Sequence, residues 1–115
     1  MKVKCKKIIN SSEDALILGK EYVVLEVLEG EDTETEYRIL SKHESVPCLQ
    51  KASQFEVIDR KEPSSWVYRV NDYGLKIKSP ERWNKVGFWV NYFNHEAEAI
   101  EIYEYELKKI IDELN

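Results

Sequence analysis

The residues of this 115-residue chain that could carry chemistry are two cysteines, two histidines and an excess of carboxylates. Cys48 follows His43 by five positions, the one spacing at which a thiol and an imidazole could meet across a turn and activate a nucleophile. No neighbouring residues supply an oxyanion hole, so a small thiol enzyme using Cys48 is only the third reading. His43 lies in a polar turn between Lys42 and Glu44, and His95 stands beside Glu96 at the start of the last predicted helix. Each reads as a surface histidine. Cys5 and Cys48 stand in no metal-type spacing and read as buried, reduced thiols, with a disulfide as the rival. No His-x-x-x-His, Cys-x-x-Cys or Asp-x-Asp-x-Asp-Gly pattern occurs, and the four glycines form no phosphate loop. The expectation is a chain with no catalytic residue, no cofactor and no metal.

What remains is negative charge. Glu96, Glu98, Glu101, Glu104, Glu106, Asp112 and Glu113 face only Lys108 and Lys109 in the last helix, leaving it at −5, the net charge of the whole chain. Glu26, Glu29, Glu31, Asp32, Glu34 and Glu36 add a second acidic stretch. The plain reading is a solvated helix face and a soluble loop. The functional reading is a docking surface for a basic protein, because opposite potentials speed encounter and select the partner. Glu98, Glu101 and Glu104, spaced three apart, are the first candidates for partner binding. Glu31, Asp32 and Glu34, on a loop, are the second.

Composition narrows the classes. Apolar residues at 43% and charged residues at 34% fit a folded domain. A net charge of −5 argues against nucleic acid as a partner. No apolar run approaches the roughly 20 residues that span a membrane. The basic start, Met1-Lys2-Val3-Lys4-Cys5, has no long apolar segment behind it, so the expected compartment is the cytoplasm.

The elements that would position these carboxylates are organised around Leu16 to Leu28. Gly19 suits a sharp entry, and a β-branched run follows. Alternation puts Val23, Leu25 and Val27 on one face of a single strand, Glu21 to Leu28, with Tyr22, Val24 and Leu28 on the other. A strand apolar on both faces is covered on both. Before it, Val3 and Cys5 mark a first strand. After it come an acidic connection, a return strand at Thr35–Leu40, an edge strand near Pro47, a helical turn at Ala52–Gln54 and a strand at Phe55–Ile58. Asn71-Asp72-Tyr73-Gly74 joins a second hairpin. Ser79-Pro80 reads as a helix start, residues 86–93 as a short helix, and Asn94 as the cap of a helix from His95 to Leu114. Ile100, Tyr103, Leu107, Ile110, Ile111 and Leu114 form its expected buried stripe.

Leu-x-x-Gly-x-x-Tyr-x-Val-Leu-Glu-Val, a charged hairpin, Tyr-Arg-Ile-Leu and then Ala-Ser-Gln-Phe-Glu-Val resemble the strand order of a Src-homology-type (SH3-like) small β-barrel. The resemblance covers Val3 to Asp59. It implies a barrel and no particular ligand, since Ile8-Ile9-Asn10 replaces the first-loop aromatics of the peptide-binding members and Phe55 replaces the turn tyrosine. The whole chain also resembles short bacterial proteins that join such a barrel to a helical tail. The expected fold is α+β, with a small barrel over residues 1–59 and a hairpin and helices over residues 60–115 packed on it as one cooperative unit. Trp66, Trp83, Phe88, Trp89 and Phe93 are expected to fill the space between. Two functions follow. One is a non-catalytic binding module, for instance an immunity-type protein that blocks a basic toxin. The other is a structural or regulatory subunit of a phage or mobile-element assembly.

Overall fold

The computed structural model describes residues 1–43 and 46–114. Among these, the order is β1 (Lys2–Cys5), β2 (Glu21–Val23), β3 (Glu26–Glu29), β4 (Glu36–Leu40), β5 (Pro47–Lys51), β6 (Phe55–Asp59), β7 (Trp66–Val70), β8 (Lys76–Pro80), α1 (Phe88–Phe93) and α2 (Ala97–Glu113). The fold is α+β. Its antiparallel strands make a three-stranded sheet, β2-β1-β6, and a five-stranded sheet, β5-β4-β3-β8-β7. No helix among the described residues is long and apolar enough to cross a membrane.

The expected single strand from Glu21 to Leu28 is two strands in two sheets. Gly19 turns into it at φ +83°, and its N–H donates to the Cys5 carbonyl at 2.8 Å. The Val24 N–H still donates to Met1, in the first sheet, at 3.0 Å. The next N–H, from Leu25, donates to Arg38, in the second, at 2.8 Å. The corner breaks the alternation. Tyr22, Val24 and Val27 enter one core with Val3, Ile39 and Phe55. Leu25, with half-buried Val23, enters another with Trp83, Phe88, Ala99, Tyr103 and Ile110. Val27 therefore leaves the face it was expected to share with Val23 and Leu25. An unbroken strand would present its two apolar faces to opposite sides of one sheet, whereas the corner lets each half complete a different core.

The second half of the chain is hydrogen-bonded into the first rather than merely packed on it. β8 lies beside β3, with Leu28 opposite Ile77. The Trp66 indole N–H donates to the Leu25 carbonyl at 3.0 Å, at the corner itself. Thus the five-stranded sheet crosses the expected boundary between residues 59 and 60. Pro47 begins β5 at the sheet edge, where its missing donor costs nothing. A 3-10 turn at Ala52–Gln54 links β5 to β6.

Several local expectations change. Ser79 and Pro80 end β8 instead of opening a helix, because Pro80 is extended (φ −54°, ψ 138°) opposite Trp66; a 3-10 turn, Glu81–Asn84, follows. Trp83 and Phe88 are buried and Trp89 half-buried as filler, but Trp66 packs on the first core and Phe93 is 48% exposed. Asn94 ends α1 rather than capping α2, whose first turn follows Glu96.

His95 sits just past α1 at φ +63°, in the left-handed region. Its N–H donates to Tyr92, and that of Glu96 to Asn91, so the pair closes the helix as a Schellman motif. Glycine suits that position better, since a Cβ is strained at positive φ. His95→Gly should therefore raise stability by up to about 1 kcal/mol in urea unfolding, after the entropy glycine adds to the unfolded chain.

Candidate functional site

α2 is positioned by the residues it buries. Ala99, Tyr103, Glu106 and Ile110 point inward, and Ile100, Leu107, Ile111 and Leu114 of the expected stripe are only half-buried. The small Ala99 lets the helix lie close to Trp83 and Phe88. Tyr103 stacks on Trp83 with ring centroids 5.4 Å apart. Glu106, expected on the acidic face, is instead 6% exposed and accepts from Arg82 at 3.1 Å, with Lys109 at 3.9 Å. Arg82 also lies over the Tyr105 ring at 5.1 Å.

These contacts sort the carboxylates of the helix. Asp112 is paired with Lys108 at 2.6 Å. Glu113 accepts the Ser64 N–H at 2.8 Å, and the Ser64 side chain and N–H hold its carboxyl below the usual range. Glu98, Glu101 and Glu104 are exposed, and no ion pair is made to any of them among the described residues. They do not form one row. At about 100° per residue they span an arc of about 120°. Glu98 and Glu101 border a depression with Arg82, Ile102 and Tyr105. Glu104 lies on the other flank, where its charge, after burial, helps raise the Tyr92 hydroxyl pKa.

Beside Glu98 a groove of about 290 Å³ runs between α2 and the segment from Arg82 to Phe88. Phe88, Ala99 and Ile102 form its apolar lining, and Glu96, Glu98, Arg82 and Lys85 its polar lining. Glu31, Asp32 and Glu34 are exposed between β3 and β4. Glu34 is tied down: it accepts the Ser53 N–H at 2.8 Å, and the Ser53 side chain and N–H keep its carboxyl below the usual range.

No cysteine or histidine among the described residues lines the groove. Cys5 and Cys48 are free thiols. Burial pushes the Cys5 thiol pKa up, and its S–H donates to the Lys7 carbonyl at 3.4 Å. Cys48 is half-buried and accepts from the Gln50 amide at 3.5 Å. His43 and His95 are exposed. No group of three or more His, Cys, Asp or Glu among the described residues is placed to hold a metal.

One polar cluster was not singled out from the sequence. Glu26 and Arg38 stand directly opposite in the β3–β4 ladder and meet at 2.7 Å, with side chains 4% and 8% exposed. The Arg38 guanidinium lies over the Trp89 ring at 3.9 Å. The signal was an opposite charge amid apolar neighbours in each of two adjacent strands, Glu26 in Val24–Leu28 and Arg38 in Tyr37–Leu40. Burial pushes the Glu26 carboxyl above its usual pKa, opposed by the Arg38 charge and by hydrogen bonds from Arg38 and the Trp89 indole. Between the usual and the raised pKa the folded chain holds a proton that the unfolded chain has lost. Stability from this group is therefore present at acid pH and is lost as pH rises through the raised pKa. Urea titrations should show wild type losing stability relative to Glu26→Gln as pH rises from about 4 to about 7. A constant difference across that range would mean that Glu26 titrates as in the unfolded chain.

No protein-family model, curated protein or solved structure matches the chain.

Proposed function

We propose that this chain is a non-catalytic protein-binding module that docks a basic protein through the carboxylates of α2 and works in the cytoplasm. The observation that carries this reading is a set of exposed carboxylates, Glu98, Glu101 and Glu104, on a helix anchored by Tyr103 and Ile110. A fixed carboxylate loses less entropy on meeting Arg or Lys than one on a free loop. Glu31 and Asp32 rank second, and Glu34 behind them because Ser53 already engages it. A concrete form is an immunity-type protein that fills the cationic cleft of a toxin such as a nuclease. In residues 2–59, five strand segments with a 3-10 turn before the last support the Src-homology-type resemblance; the second segment is the one that bends into β2 and β3.

The test is the purified product of the adjacent gene, measured against wild type and the triple variant Glu98→Lys, Glu101→Lys, Glu104→Lys. The variant should keep its far-UV spectrum and associate about tenfold or more slowly at low salt, and added salt should slow the wild type. Equal association rates and salt-independent binding would return these residues to a solvated face.

A subunit of a larger assembly is the second reading. It is favoured by β7, an edge strand of the larger sheet with Tyr68 and Val70 exposed and Tyr73 exposed at the adjoining turn.

A further inference from the structure

We infer that the groove between α2 and the Arg82–Phe88 segment is the recognition cleft, and that it takes a basic segment of the partner carrying one large apolar side chain between cationic ones. The inference rests on the docking function proposed above and names its recognition element.

The groove has the two properties such a segment needs. Its floor is apolar: Phe88 and Ala99 are already buried in the second core, and Ile102 is half-buried beside them. A volume of about 290 Å³ accommodates one aromatic or leucine side chain with adjoining backbone. Its rim is acidic. Arg82 does not offset this, because Glu106 already takes its guanidinium. That leaves Glu96 and Glu98 in the groove, and Glu101 in the adjoining depression that shares Arg82, Glu98 and Ile102 with it, against the single ammonium of Lys85. Charge complementarity therefore selects a cationic occupant, and the floor selects one with an apolar anchor.

The geometry also orders the carboxylates of the helix. Glu98 lines the groove and Glu101 the adjoining depression, whereas Glu104 is on the opposite flank beside Tyr92. A uniform acidic surface would use all three alike.

The experiment titrates the full chain, isotope-labelled for amide NMR, with three capped pentapeptides at low salt: Arg-Lys-Phe-Lys-Arg, Arg-Lys-Ala-Lys-Arg and penta-lysine. The phenylalanine peptide should shift the amides of Phe88, Ala99 and Ile102 and bind about tenfold or more tightly than the alanine peptide, as expected for one buried aromatic anchor. Glu98→Lys with Glu101→Lys should abolish this binding, and Asp72→Lys, the same charge change at the exposed turn between β7 and β8, should leave it within about twofold, as expected for a charge away from the contact. Equal binding of the three peptides, or equal damage by Asp72→Lys, would overturn the groove while leaving a general acidic docking face. Absence of binding by every peptide would overturn the groove; the adjacent-gene association test then decides the docking reading separately.

Discussion

Trp83→Ala will destabilise the chain by about 3–5 kcal/mol, the cost of removing a fully buried large aromatic side chain. Trp83 is 2% exposed and is the largest side chain of the second core. Its ring lies 5.4 Å from Tyr103, 5.4 Å from Trp89 and 6.5 Å from Phe88, so it touches both helices. The same core holds Leu25 at the corner between the sheets. The loss therefore reaches the contact between the helices and the strands. For a domain of this size it should lower the melting temperature by roughly 10–20 °C. Trp83→Phe should cost less than half as much. It keeps an aromatic ring in place, and the indole N–H it removes has no hydrogen-bond partner in the described structure. Chemical unfolding followed by circular dichroism measures both. An alanine variant within about 1 kcal/mol of wild type would mean that the core can collapse around the gap.

Arg38→Met will cost about 3–5 kcal/mol near neutral pH, because it leaves the Glu26 carboxylate buried with no cation beside it. The stacking of the guanidinium on Trp89 is lost as well. Methionine keeps much of the side-chain volume, so the loss is mainly electrostatic. It should shrink at acid pH, where Glu26 becomes neutral and no longer needs the cation. The double variant Glu26→Leu, Arg38→Met should recover most of the loss, since a well-packed apolar pair often matches a buried ion pair. Urea unfolding of the two single variants and the double variant near pH 5 and near pH 7 closes the cycle. If the double variant is no more stable than Arg38→Met alone, the position needs its hydrogen bonds and not merely its volume.

Much of the local structure was legible in residue types. Gly19 marks its turn because only the left-handed region makes the entry that sharp. Pro47 marks an edge because it has no ladder donor. Asn71 and Gly74 mark the second hairpin, where the Asn71 Oδ1 accepts from the Tyr73 and Leu75 N–H groups at 2.9 and 3.0 Å. The last helix followed from its apolar spacing. The candidate carboxylates Glu98, Glu101, Glu104, Glu31, Asp32 and Glu34 were legible as exposed charge, because ionised groups without a buried cation beside them stay in water.

Sequence by itself determined most of the strand, turn and helix stretches, though not the end of β8 at Pro80, because those depend on φ, ψ and hydrogen bonding within a few residues. Only the tertiary structure decided that the chain leaves one sheet for the other between Val24 and Leu25, and that β8 closes the side of β3 left free by β4. Both are pairings between distant segments, and alternation along one strand does not name its neighbour. Tertiary packing also set the rotation of α2. The apolar spacing pointed to Leu107 and Ile111, but close packing at Ala99 and the cation of Arg82 drew Ala99 and Glu106 inward instead. That rotation put Glu98 in the groove, Glu101 in the depression beside it and Glu104 away from both. Helical spacing gives the angle between side chains, whereas contact with the rest of the fold decides which way the whole set faces.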